Sequence, residues 1–333
     1  MQTPPVCDYE GSDYQTSFWE KGGRAYEDGC EAVALKRLLP VRGRHLLELG
    51  AGAGRNTPRY SGYQKVTLLD YSTTQLLQAQ QRLGESERYR YIAADIYRLP
   101  FVNGVFDGAT MIRTLHHMAE PQLALAQVHR VLEPGATFIL EYANKRNLKS
   151  IFRHILGRQA WSPFTLEPIE YIPLNFDFHP RAIKEWMGKV GFHIHRTLTV
   201  SHMRVGLLKK LIPVRLLVGL DSVFSLTGGW WQLTPSVFLK STASHDGEKA
   251  AEGQFFACPN CGTVTPILRS GGGRKIAQDM KVPFLGAIPM DPKIAEASDD
   301  GMAFVQHFAE SPTAQAMREI IKPLEALSGK KAG

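Results

Sequence analysis

Several groups of residues have types and spacings that could do chemistry. In Glu48-Leu-Gly50-Ala51-Gly52-Ala-Gly54, glycines fall at every second position behind an acid. Lacking Cβ atoms, they let a backbone turn approach a bound nucleotide closely. Asp70 closes the apolar run Val66-Thr-Leu-Leu-Asp70-Tyr71, and a carboxylate there can accept both hydroxyls of a ribose. Asp95 and Ile96 follow a third apolar run. His116 and His117 stand a few residues beyond a fourth, where an imidazole that titrates near neutrality can take a proton from an acceptor hydroxyl. Cys258-Pro-Asn-Cys261 presents two soft thiolates on one loop. A tetrahedral zinc or an iron–sulfur cluster needs two further ligands. With no second such pair and His307 far along the chain, those ligands must come from another chain, or the motif is vestigial.

The elements that must position these residues alternate between short apolar runs and helical patterns from residue 43 to about 199, the signature of a doubly wound parallel sheet. Strands are expected at 45–49, 65–69, 89–93, 106–112, 137–141 and 192–199, with helices at 73–83 and 120–131, the second closed by a Pro134-Gly135 turn. The expected fold class is α/β, a Rossmann-like doubly wound sheet with a small C-terminal α/β appendage. Residues 1–42 form a helical lid in this reading and 43–200 the cofactor-binding core. An apolar helical extension follows over 201–240, a polar linker over 241–253, and the Cys-containing segment over 254–333 with one short strand at 283–288.

A dinucleotide fingerprint, G-x-G-x-x-G, would place glycine at position 55, but that residue is Arg55. The acid followed by alternate glycines instead resembles motif I of class I S-adenosylmethionine (SAM) methyltransferases. Phe106-Asp-Gly-Ala-Thr-Met-Ile-Arg113-Thr-Leu-His116-His117 resembles the fourth-strand motif of that superfamily, and Val131-Leu-Glu-Pro-Gly-Ala-Thr-Phe-Ile-Leu-Glu141 its fifth-strand entry. The resemblance covers about 200 residues and is closest to the small-molecule, methyltransferase-11-like branch. It implies SAM as cofactor, with Glu48, Gly50, Ala51, Gly52 and Gly54 around its methionine part. Asp70 and Tyr71 would meet the ribose, Asp95 the adenine amino group and Ile96 the ring, with Arg113 also in the pocket. Transfer in such a fold is mostly positioning, because the sulfonium is already a strong electrophile. His116 and His117 either supply a general base or only shape the pocket.

The C-terminal segment carries a second resemblance. Cys258-Pro-Asn-Cys261, Gly271-Gly-Gly-Arg-Lys, Val282-Pro-Phe-Leu-Gly286-Ala-Ile-Pro289 and Ser311-Pro-Thr-Ala look like the C-terminal part of Mrp/ApbC-type iron–sulfur carrier ATPases. In that family two such cysteine pairs, one per subunit, bridge a cluster. The resemblance therefore implies a homodimer or an iron–sulfur carrier partner. No G-x-x-x-x-G-K-[ST] loop occurs in this sequence, so ATP hydrolysis is not expected.

Composition narrows the classes. With 44% apolar and 21% charged residues over 333 positions, wholesale disorder and fibrous architectures are excluded. A formal charge of +7 without a long basic block does not indicate nucleic acid. The N-terminus has neither a basic nor an apolar leader region, so the expected location is the cytoplasm. The most apolar stretch, Val205 to Leu239, which includes Trp230 and Trp231, is too interrupted to span a bilayer. It packs on the sheet, closes a hydrophobic acceptor site, or makes peripheral membrane contact. The polar and aromatic stretches Glu141–Asn147 and Leu174–Pro180 form either a pocket wall or satisfied loops, the latter with Asp177 capping a helix that starts at Pro180. Two functions follow: methyl transfer to a small acceptor, hydrophobic or not, or an adaptor in iron–sulfur assembly that uses the fold to bind ligand.

Overall fold

Short strands whose neighbouring residues are all apolar bury both faces, and consecutive side chains then enter opposite cores. Leu46 and Leu47 show this in the first strand: both are buried, Leu46 among Leu35, Leu38 and Leu76, Leu47 among Leu125, Val128 and Phe138. The computed structural model describes residues 4–5, 9–12, 15–244, 255–257, 264–266, 277, 284–286, 288, 293–294, 297 and 302–328. It divides into two units, Met1–His245 and Asp246–Gly333.

The first unit is a seven-stranded sheet of order β3-β2-β1-β4-β5-β9-β8. Its strands are β1 (Gly43–Leu49), β2 (Tyr63–Asp70), β3 (Tyr89–Ala93), β4 (Phe106–Met111), β5 (Leu132–Ala143), β8 (Phe192–Val200) and β9 (Ser236–Ala243). A small hairpin, β6 (Ile169–Ile172) with β7 (Asn175–Asp177), lies apart from it. Helices α1 (Ala25–Leu38), α2 (Thr73–Leu83) and α7 (Val214–Phe224) contribute to one core, α3 (Pro121–Val131) and α5 (Pro180–Lys189) to the other. The remaining helices of this unit are α4 (Leu148–Ile155) and α6 (Gly206–Leu211). Because β1 pairs in parallel with β2 on one side and β4 on the other, the chain reverses its winding between them. Ligands bind in the crevice such a switch point leaves at the strands' carboxyl ends.

The expected parallel core is present, with one difference. β9 runs through the end of the expected helical extension and into the expected linker. Its polar composition hides a strand that is paired along both edges, antiparallel to β5 and to β8. Phe238 enters one core and Val237 and Leu239 the other, while the buried Ser241 hydroxyl donates to the Phe138 carbonyl at 3.2 Å. The expected turn at Pro134-Gly135 is likewise absorbed into β5, which follows α3 directly.

In the second unit, β10 (Phe255–Ala257) and β11 (Val264–Pro266) pair antiparallel, and α8 (Phe304–His307) and α9 (Pro312–Ser328) follow. Phe304 and Ala314 share a small apolar cluster with Ala297. The expected strand at 283–288 is not formed at its described residues 284–286 and 288. Cys258 and Cys261 lie outside the described residues.

Helix α7 is tied down by one buried carboxylate. Asp221 accepts from the Tyr26 hydroxyl on α1 at 2.8 Å, from the backbone amide of His202 at 2.7 Å and from that of Ser201 at 3.2 Å. Burial raises its pKa, but the bonds and charge of His202 outweigh this and hold it below the usual value. Asp221→Ala should cost about 3 kcal/mol in urea unfolding at neutral pH, since it strands several buried donors. A depressed folded pKa confers stability above the unfolded value of 3.8 that is lost as pH falls through the folded one. The gap between wild type and variant should therefore narrow below about pH 4.

Candidate functional site

The crevice at the switch point is a cleft of about 1040 Å³, open solvent included, at the upper end for small-molecule sites. Its floor is the turn after β1. Gly50 and Gly52 have φ of 65° and 52°, left-handed values that favour glycine. A Cβ on Gly50 would sit 2.1 Å from the Thr114 hydroxyl oxygen, whereas at Gly52 the nearest atom is 4.0 Å away. Gly50 thus lets the turn close on the end of β4, and Gly52 leaves open space in the cleft.

Asp70 at the end of β2 accepts from the Gly52 amide at 2.7 Å and from the Ser72 amide at 3.0 Å. Burial raises its pKa against the pull of these amides. Each oxygen retains acceptor capacity for a ligand hydroxyl. Asp95 caps the short turn at Ile96–Arg98 by accepting from the Tyr97 amide at 2.9 Å. Glu48, Gly50, Ala51, Gly52, Asp70, Tyr71, Asp95, Ile96, Arg113 and His117 all line the cleft.

Gly54 and His116 do not. A Cβ on Gly54 would lie 2.8 Å from Leu83 and 3.3 Å from Ala79, so this glycine serves the packing of the turn on α2. His116 is turned away behind His117, ring centroids 4.0 Å apart, and burial pushes its pKa far down. Among the described residues nothing bonds its buried Nδ1. Its neighbour is held differently: His117 Nδ1 lies 3.0 Å from the Leu174 carbonyl and Nε2 3.1 Å from the Tyr9 hydroxyl. A carbonyl only accepts, so Nδ1 carries the proton, Nε2 is the basic nitrogen, and Tyr9 donates to it. Leu174, at the tip of the β6–β7 hairpin, adopts φ of 56° to present that carbonyl. Burial lowers the His117 pKa, partly offset by the Leu174 bond. The stretches Glu141–Asn147 and Leu174–Pro180 do not line this cleft. His179, not Asp177, caps α5, accepting from the Arg181 amide at 3.2 Å. Burial pushes Asp177 up to about 6.

Behind the floor lies an ion network. Glu31 of α1 is fully buried and binds Arg55 at 2.6 Å and Arg113 at 2.5 Å. Arg55 also pairs with Asp28 and lies 3.5 Å from the Trp19 ring centre. Arg113 has φ of 55° and donates its amide to Glu141 at 2.9 Å. The cleft's outer wall comes from the N-terminal segment. Glu10 accepts from the Thr74 hydroxyl, from the Ser72 hydroxyl at 2.8 Å and from the Thr74 amide at 3.1 Å, at the start of α2, and these bonds, the Thr74 hydroxyl's foremost, draw its pKa down to about 2. Gln75 Nε2 donates to the Ser12 carbonyl at 2.9 Å. Tyr9, Gln15 and Trp19 are thereby brought to the cleft. Sequence reasoning did not single out Tyr9, Gln15 or Glu10; the partners of Tyr9 and Glu10 lie some 60 residues or more away, and Gln15 donates to Glu20 at 3.3 Å. The only legible signal was the polar Ser72-Thr-Thr cap opposite an acid. Among the described residues, no three His, Cys, Asp or Glu side chains cluster as metal ligands.

Glu48 supports the floor from below. It accepts from the Thr57 hydroxyl at 2.6 Å and from the Tyr60 hydroxyl at 3.2 Å. Burial outweighs these bonds and pushes its pKa up to about 7. An acid raised in the folded state stabilises below its unfolded pKa, and that contribution is lost as pH rises through the folded one. From 4.5 to about 7 the loss is on the order of 3 kcal/mol. Urea unfolding of Glu48→Gln at pH 5 and pH 8 should show a much smaller difference than wild type.

Comparison with known proteins agrees with this architecture. Residues 47–140 match the family described as methyltransferase domain, and residues 253–325 the family described as NUBPL iron-transfer P-loop NTPase. The O-methyltransferase cnsE of Penicillium expansum is 35% identical over 40% of this chain and 52% of its own length. The cytosolic Fe-S cluster assembly factor NUBP2 homolog of Trichoplax adhaerens is 51% identical over 21% of this chain and 26% of its own length. The chain thus spans about a quarter to a half of the curated relatives it matches. Among solved structures, one chain of the complex between the Haloferax volcanii Trm112 methyltransferase activator and a methyltransferase superposes with a TM-score of 0.50. It is 16% identical, over 70% of this chain and 96% of that one, a likeness of fold. Residues 47–140 thus match a methyltransferase domain, within a unit that shares its fold with a chain of that methyltransferase complex, and residues 253–325 match a segment of the NUBPL iron-transfer type.

Proposed function

We propose that the first unit transfers a methyl group from SAM to a hydroxyl of a small acceptor, with His117 as the general base. The carrying observation is the juxtaposition, in one cleft, of the open Gly52 turn, the Asp70 carboxylate and the basic Nε2 of His117. The cleft fits SAM, whose ribose Asp70 would accept from, whose base Asp95 and Ile96 would meet and whose methionine end Gly50 to Gly52 would bound, since all of them line it. When bound, SAM supplies a methyl on a sulfonium that needs no further activation. The chain's own part is to align the acceptor and remove its proton. The Tyr9 hydroxyl already donates to His117 Nε2, and it occupies the position an acceptor hydroxyl would take. The lowered pKa keeps the ring neutral, hence able to accept, at physiological pH. The relative cnsE, named an O-methyltransferase, supports oxygen as the acceptor atom.

A second activity is favoured by the C-terminal match. Residues 253–325, with Cys258 and Cys261, would bind an iron–sulfur cluster between two chains or with a carrier partner, in the cytosolic setting for which the Trichoplax relative is named. Anaerobically purified protein should then hold one cluster per two chains, lost in Cys258→Ser; metal-free protein sinks this reading.

The methyltransferase reading makes separable predictions. Asp70→Ala should weaken SAM binding about 10- to 100-fold by isothermal titration, the loss of a charge-assisted contact. Absent binding by wild type, or an unchanged variant, overturns it. With a phenolic acceptor that turns over, His117→Gln should lower kcat about 10²- to 10⁴-fold while leaving SAM affinity within a few-fold. It should also remove the acid limb of the pH–rate profile.

A further inference from the structure

Helix α7 is built inside out. Leu217 and Asp221 face α1 and are buried, while Leu216, Leu220 and Val223, at helical spacing on the other side, are exposed. Beyond the helix, Trp230 is 90% exposed and Trp231 64%. Two residues further, the Leu233 carbonyl accepts from the Leu148 amide at 2.8 Å, so the start of α4 adjoins the tryptophans. Phe152 and Ile155 of α4 are exposed as well. Apolar surface on this scale is not left bare on a monomer without use.

Its charge identifies the partner. Residues 145–235 contain thirteen Lys and Arg against five Asp and Glu, more than the entire +7 excess of the chain. Lys149 and Arg153 lie on α4 beside the exposed Phe152, and Lys210 and Arg215 flank the start of α7; all four are exposed. Apolar anchors with interfacial tryptophans, ringed by cations, fit an anionic phospholipid surface, where rings sit at headgroup depth and each basic residue adds attraction. No helix among the described residues is long and apolar enough to cross a membrane, so contact is peripheral.

We propose that the face formed by α4, α7 and Trp230-Trp231 docks this protein on anionic phospholipid membranes. The test uses the full chain with vesicles of phosphatidylcholine, with or without about 30% phosphatidylserine. Co-sedimentation with the anionic vesicles and a blue shift of tryptophan emission are expected. Both should weaken at least about tenfold in a Trp230→Ser/Trp231→Ser variant and on raising salt from about 50 to 500 mM. Arg153→Glu/Arg215→Glu should lose binding to the same extent. An unchanged urea midpoint identifies variants that still fold. The proposal is overturned if folded wild type ignores anionic vesicles or binds neutral ones equally. A concentration-dependent dimer that the tryptophan variant dissociates also overturns it, making the face a contact between copies.

Discussion

Everything at the cleft is hung on the carboxylate of Glu31. It has no exposure, and an isolated carboxylate so placed would cost several kcal/mol. Arg113 and Arg55 outweigh that cost and hold its pKa below the usual value. The three residues come from separate parts of the chain: α1, the turn after β1, and the end of β4. One charge cluster therefore fixes the N-terminal helix, the glycine turn and the start of the His116-His117 segment relative to each other. Trp19 covers it, its ring 3.5 Å from the Arg55 guanidinium carbon and 5.2 Å from that of Arg113.

The balance of charge around this cluster also matters. Asp28, Glu31, Glu48, Asp70 and Glu141 meet Arg55, Arg59 and Arg113, and the acids are in surplus. Burial pushes Glu48, Asp70 and Glu141 up, and a neighbouring carboxylate adds to the shift of each, while Asp28 and Glu31, paired with the arginines, are held down. A site that holds carboxylates short of counter-ions favours a ligand bearing positive charge. A sulfonium with an ammonium group meets that requirement; a dinucleotide pyrophosphate does not. Arg55 thus departs from the dinucleotide pattern for a reason the fold makes plain. It neutralises Glu31 and Asp28 behind the turn, where a glycine could not.

Local pattern made the parallel core and the turn legible, because strand burial and the Gly50 and Gly52 positions are enforced within a few residues of one another, and Asp70 closes the next strand 18 residues on. What was not legible depends on distant partners. β9 is a strand because β5 and β8 offer it two edges, which its own polar end does not announce. His116 and His117 are indistinguishable in sequence, yet the Leu174 carbonyl, 57 residues on, selects one. Gly54 looks like Gly50 and Gly52 but answers to Leu83 and Ala79. Tyr9 and Glu10 reach the cleft only because the Ser72–Thr74 cap binds a carboxylate from the far end of the unit.

Helix α7 shows the same limit in sharper form. Its hydropathy is high all round, the pattern of a helix buried on every side. Its one acid, Asp221, would ordinarily mark the solvent face. Instead that acid points inward, because Tyr26, Ser201 and His202 present three donors at the place where α1 and the end of β8 converge. Satisfying those donors fixes the rotation of the helix. With Asp221 inside, Leu216, Leu220 and Val223 have no option but the surface. The exposed apolar stripe is thus maintained by a buried polar bond network, and the cost of leaving it in water persists until another apolar phase covers it.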